Sequence, residues 1–293
     1  MTLEEQLRTI IRSWTDGVRS KHLAPGEMAS VVTTTSTLPL SKMTTWERVI
    51  REELWRTHER SPQAVRSSWR SLLRLAPSSA PSGSPTPTWL DLCHGDGHVR
   101  ERALHTLSGA APDGFFLALV ARRLNDWVPQ VRTAARGAWP RLAGGSNPAH
   151  VVDALCAVLP VSHAWRRIEA SDQRGLSELV ATGPVVEALR RRIVGSSAGP
   201  MASVLSQVLR HPALDRQLSD IAREAIQPAV RAVAHRALLR GTAMWPEGDR
   251  WRWTDVRYCE GRVELVWGSR PLKDIATSFE AFLLAAAEDR SPE

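Results

Sequence analysis

Val131-Arg132-Thr133-Ala134-Ala135-Arg136-Gly137-Ala138-Trp139 is one copy of a phrase that returns along the chain: Val-Arg, a small or apolar residue four positions after the Val, and a large apolar residue eight after it. The other copies are Val65-Arg66…Trp69…Leu73, Val99-Arg100…Ala103…Leu107 and Val230-Arg231…Ala234…Leu238. Their spacing is one period of about 33 residues, or three periods before the last copy, and such a period is the signature of stacked helix pairs. Positions i, i+4 and i+8 share a helical face, so each valine and its partners should bury against neighbouring helices. The arginines sit one step round the helix. Arg66, Arg100, Arg132 and Arg231 are expected to stack along an inner rim and are candidate partner-binding residues.

The rest of the chain fits this frame. Leu3, Leu7, Ile10, Ile11, Trp14 and Val18 form a helical stripe over 3–20. Residues 24–43, with Pro25-Gly26 and a Val/Thr run, read as a loop or a short extended segment. Thr44 with Glu47 three residues on is a capping-box pattern that opens a helix to about Glu59. Ser61-Pro62 opens the next helix, which carries the first Val-Arg phrase. A Pro/Ser-rich linker at 77–88 interrupts the array. Helix pairs then follow near 89–94/97–108, 113–125/128–143, 148–159/163–181, 184–194/200–210 and 214–225/228–240, punctuated by Gly and Pro. The Val-Arg phrase decays near 164, where Ala164-Trp165-Arg166 stands in its place, and near 197.

The best single copy spans 113–143, where Leu124-Asn125-Asp126-Trp127-Val128-Pro129-Gln130-Val131-Arg132 resembles the turn and second-helix start of a HEAT repeat, including Asp six positions before Arg. The resemblance covers roughly half the chain and implies a mostly α fold: a right-handed solenoid of about six helix pairs that acts by binding. The other copies have Arg60, His94 and Ala225 where Asp126 stands, so the family's Asp–Arg ladder is expected in one repeat only. The implied organisation is an N-terminal helix and irregular segment over 1–45, the array over 46–241, and a cap over 242–293.

After Gly241 the period changes from helical to alternating. Residues 250–258 and 262–267 read as a hairpin turning at Glu260-Gly261, with Arg257 facing Glu264. That register puts Thr254, Val256, Tyr258, Val263, Leu265 and Trp267 on one face and Trp251 and Trp253 on the other. Trp251-Arg252-Trp253 is then either an exposed aromatic-basic patch for a protein or nucleic-acid partner, or part of a cap over the last repeat. A helix over 271–288, with Ile275, Phe279, Phe282 and Leu283 on one stripe, ends the chain. Gly261-Arg262-Val263-Glu264-Leu265-Val266-Trp267 and the later Ser278-Phe279-Glu280-Ala281-Phe282-Leu283 resemble the closing strand and helix of SUKH-type bacterial toxin-immunity domains. That resemblance implies an inhibitor of a toxin.

Composition bounds the alternatives. The 293 residues, 43% hydrophobic, suffice for a continuous core, and no apolar run is long enough to predict a membrane span. The start of the chain lacks a signal-peptide pattern. Cys93, Cys156 and Cys259 are odd in number and far apart, so a cytoplasmic protein without a disulfide framework is expected. Net charge is +7, and all but Lys21, Lys42 and Lys273 of the 38 basic residues are arginine. This reads either as a surface for phosphate or carboxylate partners or as codon bias. Twelve Trp stand beside four Phe and one Tyr. Trp14, Trp46, Trp55, Trp69 and Trp139 fall on helical stripes and are expected in the core.

No catalytic constellation and no cofactor motif emerge. Cys93, His94, Asp96 and His98 are candidate metal ligands, but zinc sites usually need a second ligand pair, and the alternative is a polar interhelix turn. Gly195-Ser196-Ser197-Ala198-Gly199 has the form of a nucleophile elbow without the strand that must precede one. Three functions follow: a non-enzymatic protein-binding module, a basic nucleic-acid-binding protein, and a metal-dependent enzyme. HEAT-like repeats also build alkylpurine DNA glycosylases, for which Trp127 with Asp126 and Trp253 with Asp255 are the candidates here.

Overall fold

A computed structural model describes residues 2–20, 26–59, 88–181, 183–273 and 279–289. The first Val-Arg phrase, Arg66, Trp69 and the 77–87 stretch lie outside the described residues. The chain is mostly helical with a C-terminal two-stranded antiparallel hairpin, and it divides into two compact units, Met1–Leu142 and Ala143–Glu293.

In the first unit, α1 (Leu3–Ser20) buries Leu7, Ile11 and Trp14 against α2 (Glu27–Thr35) and α3 (Met43–Glu59). The expected loop at 24–43 therefore contains a helix. Its β-branched residues disfavour that conformation, but the Thr33, Thr34 and Thr35 hydroxyls donate to carbonyls four residues back at 2.9–3.0 Å. Val31 and Thr35 are buried, and Thr35 Oγ1 lies 2.5 Å from the Asp113 carboxylate, so tertiary packing overrides propensity. Trp55 is exposed rather than in the core, because the buried stripe of α3 runs through Trp46, Val49, Ile50, Glu53 and Leu54 and Trp55 falls one step beyond it.

A 3-10 turn (Trp89–Cys93) leads into α4 (Gly97–Thr106), α5 (Gly114–Arg122) and α6 (Pro129–Gly144). Asp96 and Asp113 cap α4 and α5 by accepting from His98 N and Phe116 N, each at 2.9 Å. The second unit begins with α7 (Pro148–Ser162), α8 (Ala170–Glu178), α9 (Gly183–Gly195) and α10 (Met201–Val208). It continues with α11 (Leu218–Glu224) and α12 (Pro228–Arg240). The decayed phrase at Ala164–Arg166 lies in the turn before α8, which starts only where Glu169 and Asp172 form a capping box.

The three described phrases behave alike at the +4 and +8 positions, while Val131 and Val230 are fully buried and Val99 only half-buried. Ala103, Ala135 and Ala234 are fully buried, and Leu107, Trp139 and Leu238 nearly so. Each arginine turns back to the loop before its own helix. Arg100 donates to the carbonyls of His94 and Gly95 at 2.7 and 3.0 Å, Arg132 to that of Asp126 at 2.9 Å, and Arg231 to those of Ala225 and Ile226 at 2.9 and 3.2 Å. The acceptor six residues back is a backbone oxygen, so the side chain there is free to vary.

Asp126 joins two of these segments. Its carboxylate receives a bidentate pair from Arg100 at 2.7 and 2.9 Å and a third bond from Arg123 at 3.0 Å. Arg123 also pairs with Glu47, which meets Arg122 at 3.1 Å and Arg51 at 2.6 Å. Glu47 thus holds a buried cluster rather than closing a capping box. Burial pushes its carboxyl upward, but Arg123, Arg122 and Arg51 outweigh that and hold it at about 2.

Asp126→Ala would leave Arg100 buried without its carboxylate and Arg123 with Glu47 alone, and should cost about 3–5 kcal/mol in urea unfolding; a loss under about 1 kcal/mol contradicts this account. Glu47 titrates at about 2 in the fold against an ordinary 4.5. Its contribution, on the order of 3 kcal/mol, is complete above the ordinary value and lost as pH falls through the folded one. Glu47→Gln should therefore narrow its stability gap to wild type as pH drops through that window.

Candidate functional site

β1 (Thr242–Asp255) and β2 (Glu260–Pro271) form a hairpin longer than expected and in a different register. Asp255 pairs with Glu260, and the four-residue loop Val256–Cys259 lies between them. Asp255 Oδ1 accepts from Arg257 N at 2.8 Å and Tyr258 N at 3.2 Å, which closes the turn there and not at Glu260-Gly261. Cys259 takes a left-handed φ of 55°. Arg257 consequently sits in the turn, and Glu264 faces Arg250.

The observed register changes the faces. Trp251 pairs with Val263, Trp253 with Gly261 and Asp249 with Leu265. An irregularity between Pro246 and Gly248 then brings Trp267 opposite Pro246. By alternation, Trp251, Trp253, Val263, Leu265 and Trp267 share one face, and Arg250, Arg252, Arg262 and Glu264 share the other. The tryptophans therefore lie with the apolar strand residues and not opposite them. Arg252 and Arg262 both reach Glu264, at 3.3 and 2.8 Å. The rings of Trp251 and Trp253 meet edge to face, 5.6 Å apart at 84°. Trp251 lies over Gly261, where a Cβ would come within 2.6 Å of the indole. Trp245 lies over Gly268 on the other face in the same way.

The root of the hairpin is clamped and the tip is open. Ala243 is buried. Ser206 donates to the Met244 carbonyl at 2.9 Å, and Gln207 and Arg210 donate to that of Pro246 at 2.8 and 3.0 Å. Arg270 grips buried Asp215 bidentately at 2.6 and 2.7 Å and also donates to the carbonyls of Leu209 and His211. Beyond the root, Trp251 and Trp253 are 50% and 53% exposed, Val263 61% and Trp267 53%. Trp251 and Trp253 are thus exposed at the tip without Arg252 beside them, while the root of the hairpin is held to α10 and the turn after it.

The terminal helix, α13 (Phe279–Glu288), packs on α12. Phe282 is buried and Leu283 exposed, so only part of the expected stripe faces inward. Asp289 takes a bidentate pair from Arg231 at 2.9 and 3.1 Å and lies 3.5 Å from His235 Nε2. A carboxylate from the C-terminal segment thus meets the last Val-Arg arginine as Asp126 meets Arg100.

The other sequence candidates resolve into structure. Arg100 is 1% exposed, an interior residue rather than part of a rim. Arg132 and Arg231 are half-buried with the partners already described. Cys93 is buried in the core, with its thiol pushed up to about 12 by burial. His94 Nδ1 accepts from Asp96 N at 3.0 Å, and Asp96 is a helix cap. Among the described residues no group of three or more His, Cys, Asp or Glu is placed to hold a metal. Ser196 donates to the Arg192 carbonyl at 2.6 Å in the loop after α9. Asp126 is buried in its ion pairs, and Trp127, 67% exposed, lies 6.0 Å from the Arg100 guanidinium. All three cysteines are free thiols, and among the described residues no helix is long and apolar enough to cross a membrane.

The split between the two hairpin faces was not readable from alternation alone, since it depends on a one-residue irregularity between Trp253 and Asp255, beside the turn. Asp255, whose side chain can bond the backbone two residues on, marks where the turn closes but not that shift. Asp215→Asn should release Arg270 and lower hydrogen-exchange protection at Thr242–Pro246 and Gly268–Pro271 by roughly tenfold or more, leaving α7 unchanged. Unchanged protection of the hairpin root would show that the Arg270 clamp does not hold it.

Comparison with family models, with curated proteins and with solved structures finds no match to this chain.

Proposed function

We propose that this chain is a non-enzymatic protein-binding module, a cytoplasmic right-handed solenoid of about six HEAT-like helix pairs that docks a partner through its C-terminal hairpin. One observation carries the reading: strand alternation gathers Trp251, Trp253, Val263, Leu265 and Trp267 on a single exposed face whose root is fixed by Arg270–Asp215. A rigid aromatic cluster is what protein hot spots use, and an exposed apolar face of this kind marks an interaction site. The Arg100–Asp126 pair and the Arg231–Asp289 pair support the stacked-repeat reading.

The nucleic-acid reading draws less support. Single-strand binding needs free aromatic faces beside unpaired cations. Trp251 and Trp253 meet edge to face, Arg252 lies on the other side of the hairpin, tied to Glu264, and the exposed Arg236 and Arg240 stand at a groove by Trp267 rather than beside these two rings. An inhibitor of a toxin is the narrower form of the protein-binding reading; it rests on the C-terminal resemblance, and the net charge of +7 disfavours a nuclease as the target.

Trp251→Ala and Trp253→Ala should each weaken a partner retained by the wild-type chain by about 2 kcal/mol, roughly thirtyfold, with helical circular dichroism unchanged. Binding should weaken by no more than a few-fold between about 50 and 200 mM salt, as a small number of exposed ion pairs allows. A steep fall over that range, with DNA or RNA as the retained species, sinks the reading.

A further inference from the structure

Below the exposed tip, the same hairpin face descends into a groove of about 690 Å³. Leu265 and Trp267 are common to both, so the groove and the open aromatic strip form one continuous surface. Met244 completes the hairpin wall, and Leu209, Val233 and Ala237 supply the helical wall from α10 and α12. The volume lies within the range of pockets that enclose a ligand or several side chains.

The charges in the lining have one sign. Arg236 and Arg240 stand exposed on α12 at the groove, and among the described residues no carboxylate lines it. Arg236 makes no ion pair among the described residues, and Arg240 contacts only the Met244 sulfur, at 3.2 Å. This differs from the rest of the hairpin, where Glu264 offsets Arg252 and Arg262 and Asp215 offsets Arg270. His163 is also in the lining, its Nδ1 buried without a hydrogen-bond partner.

We infer that this groove receives an acidic segment of a protein partner, a peptide that seats a large apolar side chain between α12 and the hairpin and sets carboxylates against Arg236 and Arg240. The inference rests on the protein-binding reading and names the chemistry of what is bound. Apolar walls supply burial, and the two unpaired guanidiniums supply the sign of charge and a bidentate geometry for carboxylates. An apolar stretch of the peptide continues outward along Leu265 and Val263 towards Trp251, past Asp249 on the same face, so the carboxylates of the peptide are confined to the Arg236 and Arg240 end.

The test uses the full chain and two fluorescein-labelled synthetic peptides, one of Glu, Leu and Trp and one in which every Glu is replaced by Lys. Fluorescence anisotropy should show the acidic peptide binding at least roughly tenfold more tightly. Arg236→Glu with Arg240→Glu should reverse the preference, a gain for the Lys peptide that misfolding cannot imitate. Ser203→Trp, at an exposed position of the lining, should fill the groove and weaken the acidic peptide by a similar factor. Equal binding of both peptides, binding of neither, or a dimer in sedimentation that Ser203→Trp dissociates would each overturn the inference. If a native partner is lost with Trp251→Ala and Trp253→Ala but kept by the Arg236/Arg240 reversal, the groove inference falls and the protein-binding reading stands.

Discussion

The Asp126 carboxylate is the constraint on which the first unit depends. It is buried, it takes three guanidinium hydrogen bonds, and it accepts from Val128 N at 3.0 Å. Through Arg123 it is coupled to Glu47 on α3, and through Arg100 to α4. Isolated buried charges are costly, and this cluster exists only because the helices arrive together and each charge meets its opposite. Burial pushes Asp126 upward, while Arg100, Val128 N and Arg123 hold it below the usual carboxylate range, so it stays ionised and paired.

The Val-Arg phrase is a device for building helix pairs. Its +4 and +8 positions, with Val131 and Val230 in two of the three described copies, give the buried stripe, and its arginine ties the preceding turn to the helix through carbonyls five and six residues back. A turn carries backbone acceptors that a helix cannot satisfy, and a long guanidinium reaches them from the first turn of the helix. This explains why the arginine recurs while the residue six positions before it changes from His94 to Asp126 to Ala225. Among the described residues, Arg100, Arg132 and Arg231 each bond the turn before their helix, whereas Arg236 and Arg240, which belong to no phrase, are exposed at a groove.

The hairpin shows how much one extra residue can decide. With a two-residue turn, Trp251 and Trp253 would oppose Val263, Leu265 and Trp267. A four-residue turn closed by Asp255 keeps that parity; the irregularity between Trp253 and Asp255, where Thr254 is the extra residue, shifts β1 by one, so all five fall on one face, and Arg250 and Arg252 fall on the other. A one-residue change of register re-sorts every side chain in a strand pair, so the exposed aromatic face follows from that irregularity together with Gly261 and Gly268, which leave room for Trp251 and Trp245.

By itself the sequence determined what repeats locally. The helical stripes, the turns at Gly and Pro, the buried positions of the phrase and the change to strands after Gly241 are set by periodicity and backbone preference, which act over a few residues. Tertiary structure decided what depends on partners distant in the chain. Val31 and Thr35 are helical because Asp113 and a buried interface receive them, against the preference of β-branched residues. Glu47 became the centre of an ion cluster because Arg122 and Arg123 reach it from another helix. Arg100 turned inward because Asp126 was there to meet it, and the groove beside Arg236 formed only where α12 and the hairpin came together. Periodicity records which side of an element is apolar; burial of charge and the pairing of faces depend on the elements that pack against it.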